Sequence, residues 1–389
     1  METQKYKDLP RPEKRARLLE ITRVFLRLGV VAFGGPAAHT AMMEEEIVSR
    51  RRWLSREKFL DLMGATHLIP GPNSTELAIH LGYSRGGLWG LLLAGACFIL
   101  PAMAIVLAFA ALYVRHGQVS EVEGVLYGIK PVIIAVVLQA LLRLGKSVIR
   151  GWLPALLAAG SAALYFLGVP EVPLLLGAGA VSMLVKNWKR VRDRLFALPL
   201  FPLAALQPLP EQARHLQASG LFFTFLKIGS VLYGSGYVLL AFLESEFVAR
   251  QGVLTSKQLL DAVAVGQFTP GPVFTTATFV GYLLGGFPGA FSATAGIFLP
   301  SFLLVFLLNP LIPRMRASLW FGAALDGVNA ASLALMAAVS FKLALASLVD
   351  PLTAVLFAAA LLVLMRTKIS SFWLILLGGL AGFVAKSVL

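Results

Sequence analysis

Cysteine is almost absent from this chain of 389 residues, which carries only Cys97. A single thiol within an apolar run excludes both an intrachain disulfide and a thiolate metal site. Histidine is also scarce: the five residues are dispersed, with no His-Glu-x-x-His spacing and no haem-type pair. Neither a metal nor any other cofactor is expected. Charged residues make up 14% of the chain, against about 25% in soluble domains. Acids are the scarcer sign, 20 against 34 Lys and Arg, leaving a net charge of +14. No basic stretch is interleaved with aromatics, so nucleic acid is not an expected partner. Gly145-Lys146-Ser147 looks like the end of a phosphate loop, but Ala140 stands where the loop needs glycine, and the context is an apolar helix. With no nucleophile–base constellation either, the chain does not read as an enzyme or an ATP-driven pump. The first 20 residues are polar and basic and contain Pro10 and Pro12, unlike a cleavable signal peptide.

Apolar residues are abundant instead, at 58% of the chain, with a mean hydropathy of +0.79. Runs such as 90–114, 152–168 and 352–365 approach the length of about 20 residues that a helix needs to cross a bilayer. Most Lys and Arg residues fall between these runs, as in cytoplasmic loops. The reading is an all-α polytopic membrane protein with about 10–13 membrane segments and the lipid bilayer as its surroundings.

The chain also repeats itself. Phe25-Leu26-Arg27-Leu28-Gly29 matches Phe225-Leu226-Lys227-Ile228-Gly229, Glu44 and Glu46 match Glu244 and Glu246, and Asp61 matches Asp261. After one deletion near Tyr83/Tyr282 the register continues through Gly86 and Gly90 (Gly285 and Gly289) to Leu100-Pro101 (Leu299-Pro300). Four regions follow: a basic arm at 1–20, a first repeat at 21–185, a basic and Pro-rich linker at 186–220, and a second repeat at 221–389. The basic loops alternate oppositely in the two copies. Arg50 to Lys58 is far more basic than Arg250 to Lys257, whereas Arg314 and Arg316 stand unopposed where the first copy has Glu121 and Glu123. Because Lys and Arg mark the cytoplasmic side, the repeats are expected to be inverted. Inversion requires the short stretch 195–210 to cross, or else an odd number of crossings in each half.

Each repeat contains a break: Pro70-Gly71-Pro72-Asn73-Ser74-Thr75-Glu76 and Pro270-Gly271-Pro272-Val273-Phe274-Thr275-Thr276. The apolar pieces beside them, about 10 residues each, are too short to span alone, so each break reads as a broken or re-entrant helix. Paired breaks in corresponding positions point to a transporter's binding site. A helix restarting after each Pro-Gly-Pro presents free N–H groups and a positive dipole end to an anion. Asn73, Ser74, Thr75, Thr275 and Thr276 could supply further ligands beside Gly71 and Gly271. Glu76 either closes a capping box with Asn73 or acts as a proton-coupling acid. Gly34-Gly35-Pro36 and Gly234-Ser235-Gly236 are further openings, at the end of each repeat's first helix. Arg27 and Lys227, a cation repeated within an apolar helix, either meet on a dianion or snorkel to the interface. Glycine-rich helix faces at Gly86/Gly90, Gly285/Gly289 and Gly378/Gly382 fit close helix packing and raise a homodimer as an expectation.

Through Phe33-Gly34-Gly35-Pro36, Pro70-Gly71-Pro72 and Phe268-Thr269-Pro270-Gly271-Pro272 the sequence resembles the chromate ion transporter family over nearly its whole length. The resemblance implies a two-domain member with fused, oppositely oriented halves. It further implies a protein of the bacterial or archaeal cytoplasmic membrane that exports chromate on an ion gradient and confers chromate resistance. Sulfate, the close isostere, or another oxyanion is the alternative substrate. A non-transport scaffold or lipid-handling protein is the alternative of a different class. On the transport reading, one half rocks against the other.

Overall fold

The computed structural model describes residues 6–33, 35–116, 120–188, 217–233, 236–367 and 369–388, and among them no strand occurs. Gly34, Gly234, Ser235 and the stretch 195–210 lie outside the described residues. The first helix, α1 (Arg11–Val31), starts behind Pro10 and ends where Gly35 takes φ +79° and Pro36 removes a donor. After it come α2 (Gly35–Glu44), α3 (Arg56–Thr66), α4 (Asn73–His116), α5 (Ser120–Val148), α6 (Trp152–Phe166) and α7 (Glu171–Lys186). The second repeat lays down the same series: α8 (Ala218–Val231), α9 (Leu239–Leu243), α10 (Ser256–Phe268) and α11 (Thr276–Leu308). A short α12 (Ile312–Ala317) precedes α13 (Leu319–Ser347), α14 (Pro351–Arg366) and α15 (Ser371–Val388). Among the described residues, four helical stretches are long and apolar enough to cross a membrane: Asn73–His116, Val122–Val148, Val273–Leu308 and Leu319–Ser347. Shorter apolar helices at Trp152–Phe166, Ala218–Val231, Pro351–Arg366 and Ser371–Ser387 complete a multi-pass membrane protein.

The repeat is visible in unusual backbone as well as in sequence. Both α2 and α9 run into a π-helical turn, Glu45–Arg50 and Glu244–Arg250. A left-handed residue follows each turn, Arg52 at φ 51° and Gly252 at φ 63°. Caps are repeated too: Ser55 accepts from the Lys58 N–H, and Thr255 forms a capping box with Gln258. Helix α4 is interrupted at Gly86 (φ −133°, ψ 15°) and Gly87 (φ 59°, ψ −146°). Helix α11 is interrupted in the same way at Gly285 (φ −150°, ψ 19°) and Gly286 (φ 60°, ψ −149°). Each helix therefore folds back on itself, with Gly82 against the Gly90 carbonyl and Gly281 against the Gly289 carbonyl, where no side chain fits. Outside the spans, Asp350 caps α14. The Thr353 N–H and the Tyr127 hydroxyl hold its carboxyl below the usual aspartate range.

In space the two halves are interleaved. Helix α5 of the first repeat packs on α14 and α15 of the second, while α13 of the second packs on α6 and α7 of the first. Small residues permit both approaches: Gly128 lies on the Gly378 carbonyl and Gly382, and Gly327 lies on the Ala178 carbonyl and Ser182. This packing bears on two sequence-based expectations. The halves share helix interfaces in both directions, so rocking of one half against the other has to break or carry those contacts. The glycine faces that raised a homodimer are occupied inside the chain, at Gly90, Gly289, Gly378 and Gly382.

Candidate anion site at the two helix breaks

The breaks are fixed by the ends of the opposite repeat's first helix. A helix leaves its last carbonyls without partners, and here each Pro-Gly-Pro supplies a donor to one of them. The Gly71 N–H donates to the Leu232 carbonyl at 2.8 Å, and the Gly271 N–H donates to the Ala32 carbonyl at 2.9 Å. Both glycines adopt positive φ, +137° at Gly71 and +88° at Gly271, which favours glycine there. The exchange is reciprocal, as a two-fold relation between the repeats produces.

One buried histidine ties the breaks together. His39 Nε2 lies 3.0 Å from the Ala32 carbonyl, and its Nδ1 lies 3.3 Å from Ser74 Oγ. A carbonyl only accepts, so Nε2 carries the hydrogen. The path Gly271, Ala32, His39, Ser74 thus links the second break to the first. The counterpart of His39 is Leu239, so the repeat comparison gave no sign of this residue.

Glu76 is wholly buried. Its Oε1 accepts from Ser301 Oγ at 3.4 Å, and among the described residues Oε2 has no hydrogen-bond partner. The carboxyl sits against Gly71, in the space a Cβ there would need. It reaches helix α11 rather than the N-cap backbone, so the capping box is not formed. The second break differs at both positions: Thr276 replaces Glu76, and Ala102 stands in the place of Ser301.

The threonines of the second break do not serve as first expected. Thr275 Oγ1 donates to the Pro272 carbonyl and Thr276 Oγ1 to the Val273 carbonyl, both at 2.8 Å. A hydroxyl has one proton, so neither has one left for an anion in this arrangement. Thr75 is buried behind the first break, its hydroxyl without a partner among the described residues.

A cavity of about 1160 Å³ lies between the breaks. Asn73 and Ser74 line it from the first break, Val273 and Phe274 from the second, and Pro36 and Gly236 from the openings after α1 and α8. Gly35 heads α2 beside this wall. Further polar wall comes from α5, through Gln139, Arg143 and Ser147, and from α13, through Asn329 and Ser332, while His67, Arg150 and the Lys186–Asp326 ion pair also line the cavity. Gln139, Arg143 and Ser147 fall four residues apart, a polar stripe on an otherwise apolar helix. That spacing is the signal in the sequence, where Arg143 otherwise counts as a loop cation.

Arg27 and Lys227 are not part of this cavity, which corrects the expectation that they converge on one ligand. Arg27 is exposed and lines a separate hollow of about 350 Å³ with Glu45, Glu46 and Arg50. Lys227 pairs with Glu246 at 3.1 Å, beside Arg250. Each cation faces the acidic π turn of its own repeat, on the outer flank of the first helix.

The sequence profile described as Chromate transporter matches this chain twice, at residues 19–183 and 219–383. The chain belongs to the chromate transporter family. Among the relatives of this family member is a protein of Synechococcus elongatus named "Probable chromate transport protein", 35% identical over 81% of each chain. The chromate transport protein of Cupriavidus metallidurans is 32% identical, over 96% of this chain and 94% of the relative. That of Pseudomonas aeruginosa is also 32% identical, over 92% and 90%. No solved structure matches the chain.

Proposed function

We propose that this chromate transporter family member is a secondary transporter that exports chromate across the cytoplasmic membrane of a bacterium or archaeon, driven by an ion gradient, and so confers chromate resistance. It is not an enzyme on this reading. The observation that carries the proposal is the cavity bounded by both helix breaks, in a chain whose relatives are named for chromate transport. The N-terminal turn of α4 opens on that cavity at Asn73 and Ser74, where N–H groups and the helix dipole favour an anion. Behind the same turn Glu76 offers a buried carboxyl whose Oε2 has no hydrogen-bond partner among the described residues, the group we assign to coupling. On this reading the repeats are inverted about an axis in the membrane plane, as the alternation of their basic loops led us to expect, an arrangement that suits alternating access around one site.

The test uses everted membrane vesicles from a chromate-sensitive host that expresses the chain. Energised vesicles are expected to accumulate chromate, with excess sulfate competing as a tetrahedral dianion of the same charge. Accumulation no greater than in vesicles lacking the protein overturns the proposal.

A further inference from the structure

The two repeats share their elements but not their contacts. In the second repeat α9 lies against α13. There Glu244, 5% exposed, accepts a hydrogen bond from the Tyr165 hydroxyl at 2.9 Å and pairs with Lys342 Nζ at 3.6 Å. The register that aligns Gly128 with Gly327 places Arg143 at the position of Lys342 and Leu364 at that of Tyr165, while Glu44 is the counterpart of Glu244. The corresponding trio, two residues of the first repeat and one of the second, is apart. Glu44 pairs with Arg56 at 3.0 Å, and Arg143 and Leu364 line the cavity. No carboxylate lies within ion-pair distance of Arg143 among the described residues. Ala37 and Ala38 of helix α2 and Arg143 of α5 line the same cavity.

The occupied position shows what the open one is built to hold. Beside Lys342 an oxyanion, the Glu244 carboxylate, is held by an ammonium group and a hydroxyl. Beside Arg143 the carboxylate is withdrawn and the hydroxyl is replaced by an aliphatic side chain, so the space faces the cavity. A guanidinium presents a planar fork of donors that spans two oxygens of a tetrahedral oxyanion. We propose that Arg143 is the oxyanion-binding residue of the cavity and that the bound oxyanion and Glu44 compete for it. When α2 closes on α5, as α9 already lies on α13, Glu44 takes Arg143 and the oxyanion is released. This inference rests on the transport reading above.

The experiment pairs vesicle uptake of chromate with thermal unfolding of the purified full chain in detergent, with and without chromate or sulfate. Wild type is expected to transport and to be stabilised by either anion. Arg143→Gln is expected to raise KM for chromate at least tenfold and to lose the anion-dependent shift in Tm. Arg143→Lys, which keeps the charge but not the fork, is expected to fall between. Glu44→Gln removes the competitor and is expected to lower the anion concentration giving half the Tm shift, while kcat falls. A merely structural arginine does not predict that tightening. Arg314→Gln, on the exposed α12, serves as the unchanged control. Wild-type KM and a full Tm shift in Arg143→Gln overturn the assignment and leave the transporter reading standing. Unchanged or weakened binding in Glu44→Gln overturns the competition. If Arg143→Gln does not fold, Arg143→Lys and Glu44→Gln decide the matter. A wild-type protein that neither transports nor responds to either anion removes the transport reading itself, and this inference with it.

Discussion

A carboxyl group with no exposed surface and no cation paired with it is costly to ionise, and among the described residues Glu76 is such a group, with one long hydrogen bond, from Ser301. Glutamine has the same shape but cannot exchange a proton. For Glu76→Gln we expect a folded protein that still exchanges chromate down its own gradient but no longer accumulates it in energised vesicles. Accumulation that persists in the mutant rules out the coupling role. Arg52 makes a second prediction at this scale. It holds φ 51°, a conformation costly for a side chain with a Cβ, and its counterpart Gly252 holds φ 63°. Arg52→Gly is expected to stabilise the protein by about 1 kcal/mol, read as a raised Tm; an unchanged or lowered Tm contradicts the strain argument. The sequence identified Gly71, Gly271 and Glu76 because breaks and buried acids are rare in apolar surroundings. It misled at Arg27 and Lys227, where repetition kept a cation beside each π turn rather than a shared ligand. Arg143 passes as a loop cation beside Lys146 and Arg150 unless its spacing from Gln139 and Ser147 is read, and His39 is hidden because its counterpart is a leucine.

At the scale of elements, the helix series and the two Pro-Gly-Pro breaks were legible because proline and glycine punctuate long apolar runs. The reversal inside α4 and α11 was less so. Gly86 and Gly90 sit four residues apart, and that spacing alone reads as packing between separate helices. What the spacing conceals is the backbone of Gly286, φ 60° and ψ −149°, a region open essentially to glycine. A Cβ at Gly286 would meet nothing within 4 Å, so Gly286→Ala isolates the conformational cost. We expect a loss of about 1–3 kcal/mol, seen as a lower Tm of the purified protein. An unaffected Tm would mean that the turn tolerates a different backbone.

At the scale of the whole molecule, repetition told which elements are equivalent but not which copy partners which. The glycine spacing in α15 suits α5 as well as it would suit a second molecule, and only the three-dimensional structure gives Gly378 and Gly382 to Gly128. The exchange of α5 against α14 and α15 makes the halves interdependent. Divided within 189–216, the chain is expected to yield halves that accumulate only when produced together and that then purify as one complex. Independent accumulation of a monodisperse first half would contradict this. The interleaving also has a consequence during synthesis. Helix α5 ends at Val148, yet its partner α15 is complete only at Val388. At about 5–20 residues per second that interval lasts roughly 12–48 s. Throughout it the insertion machinery must shelter a helix that carries Lys130 and Arg143 into the bilayer before the surface that receives it has left the ribosome.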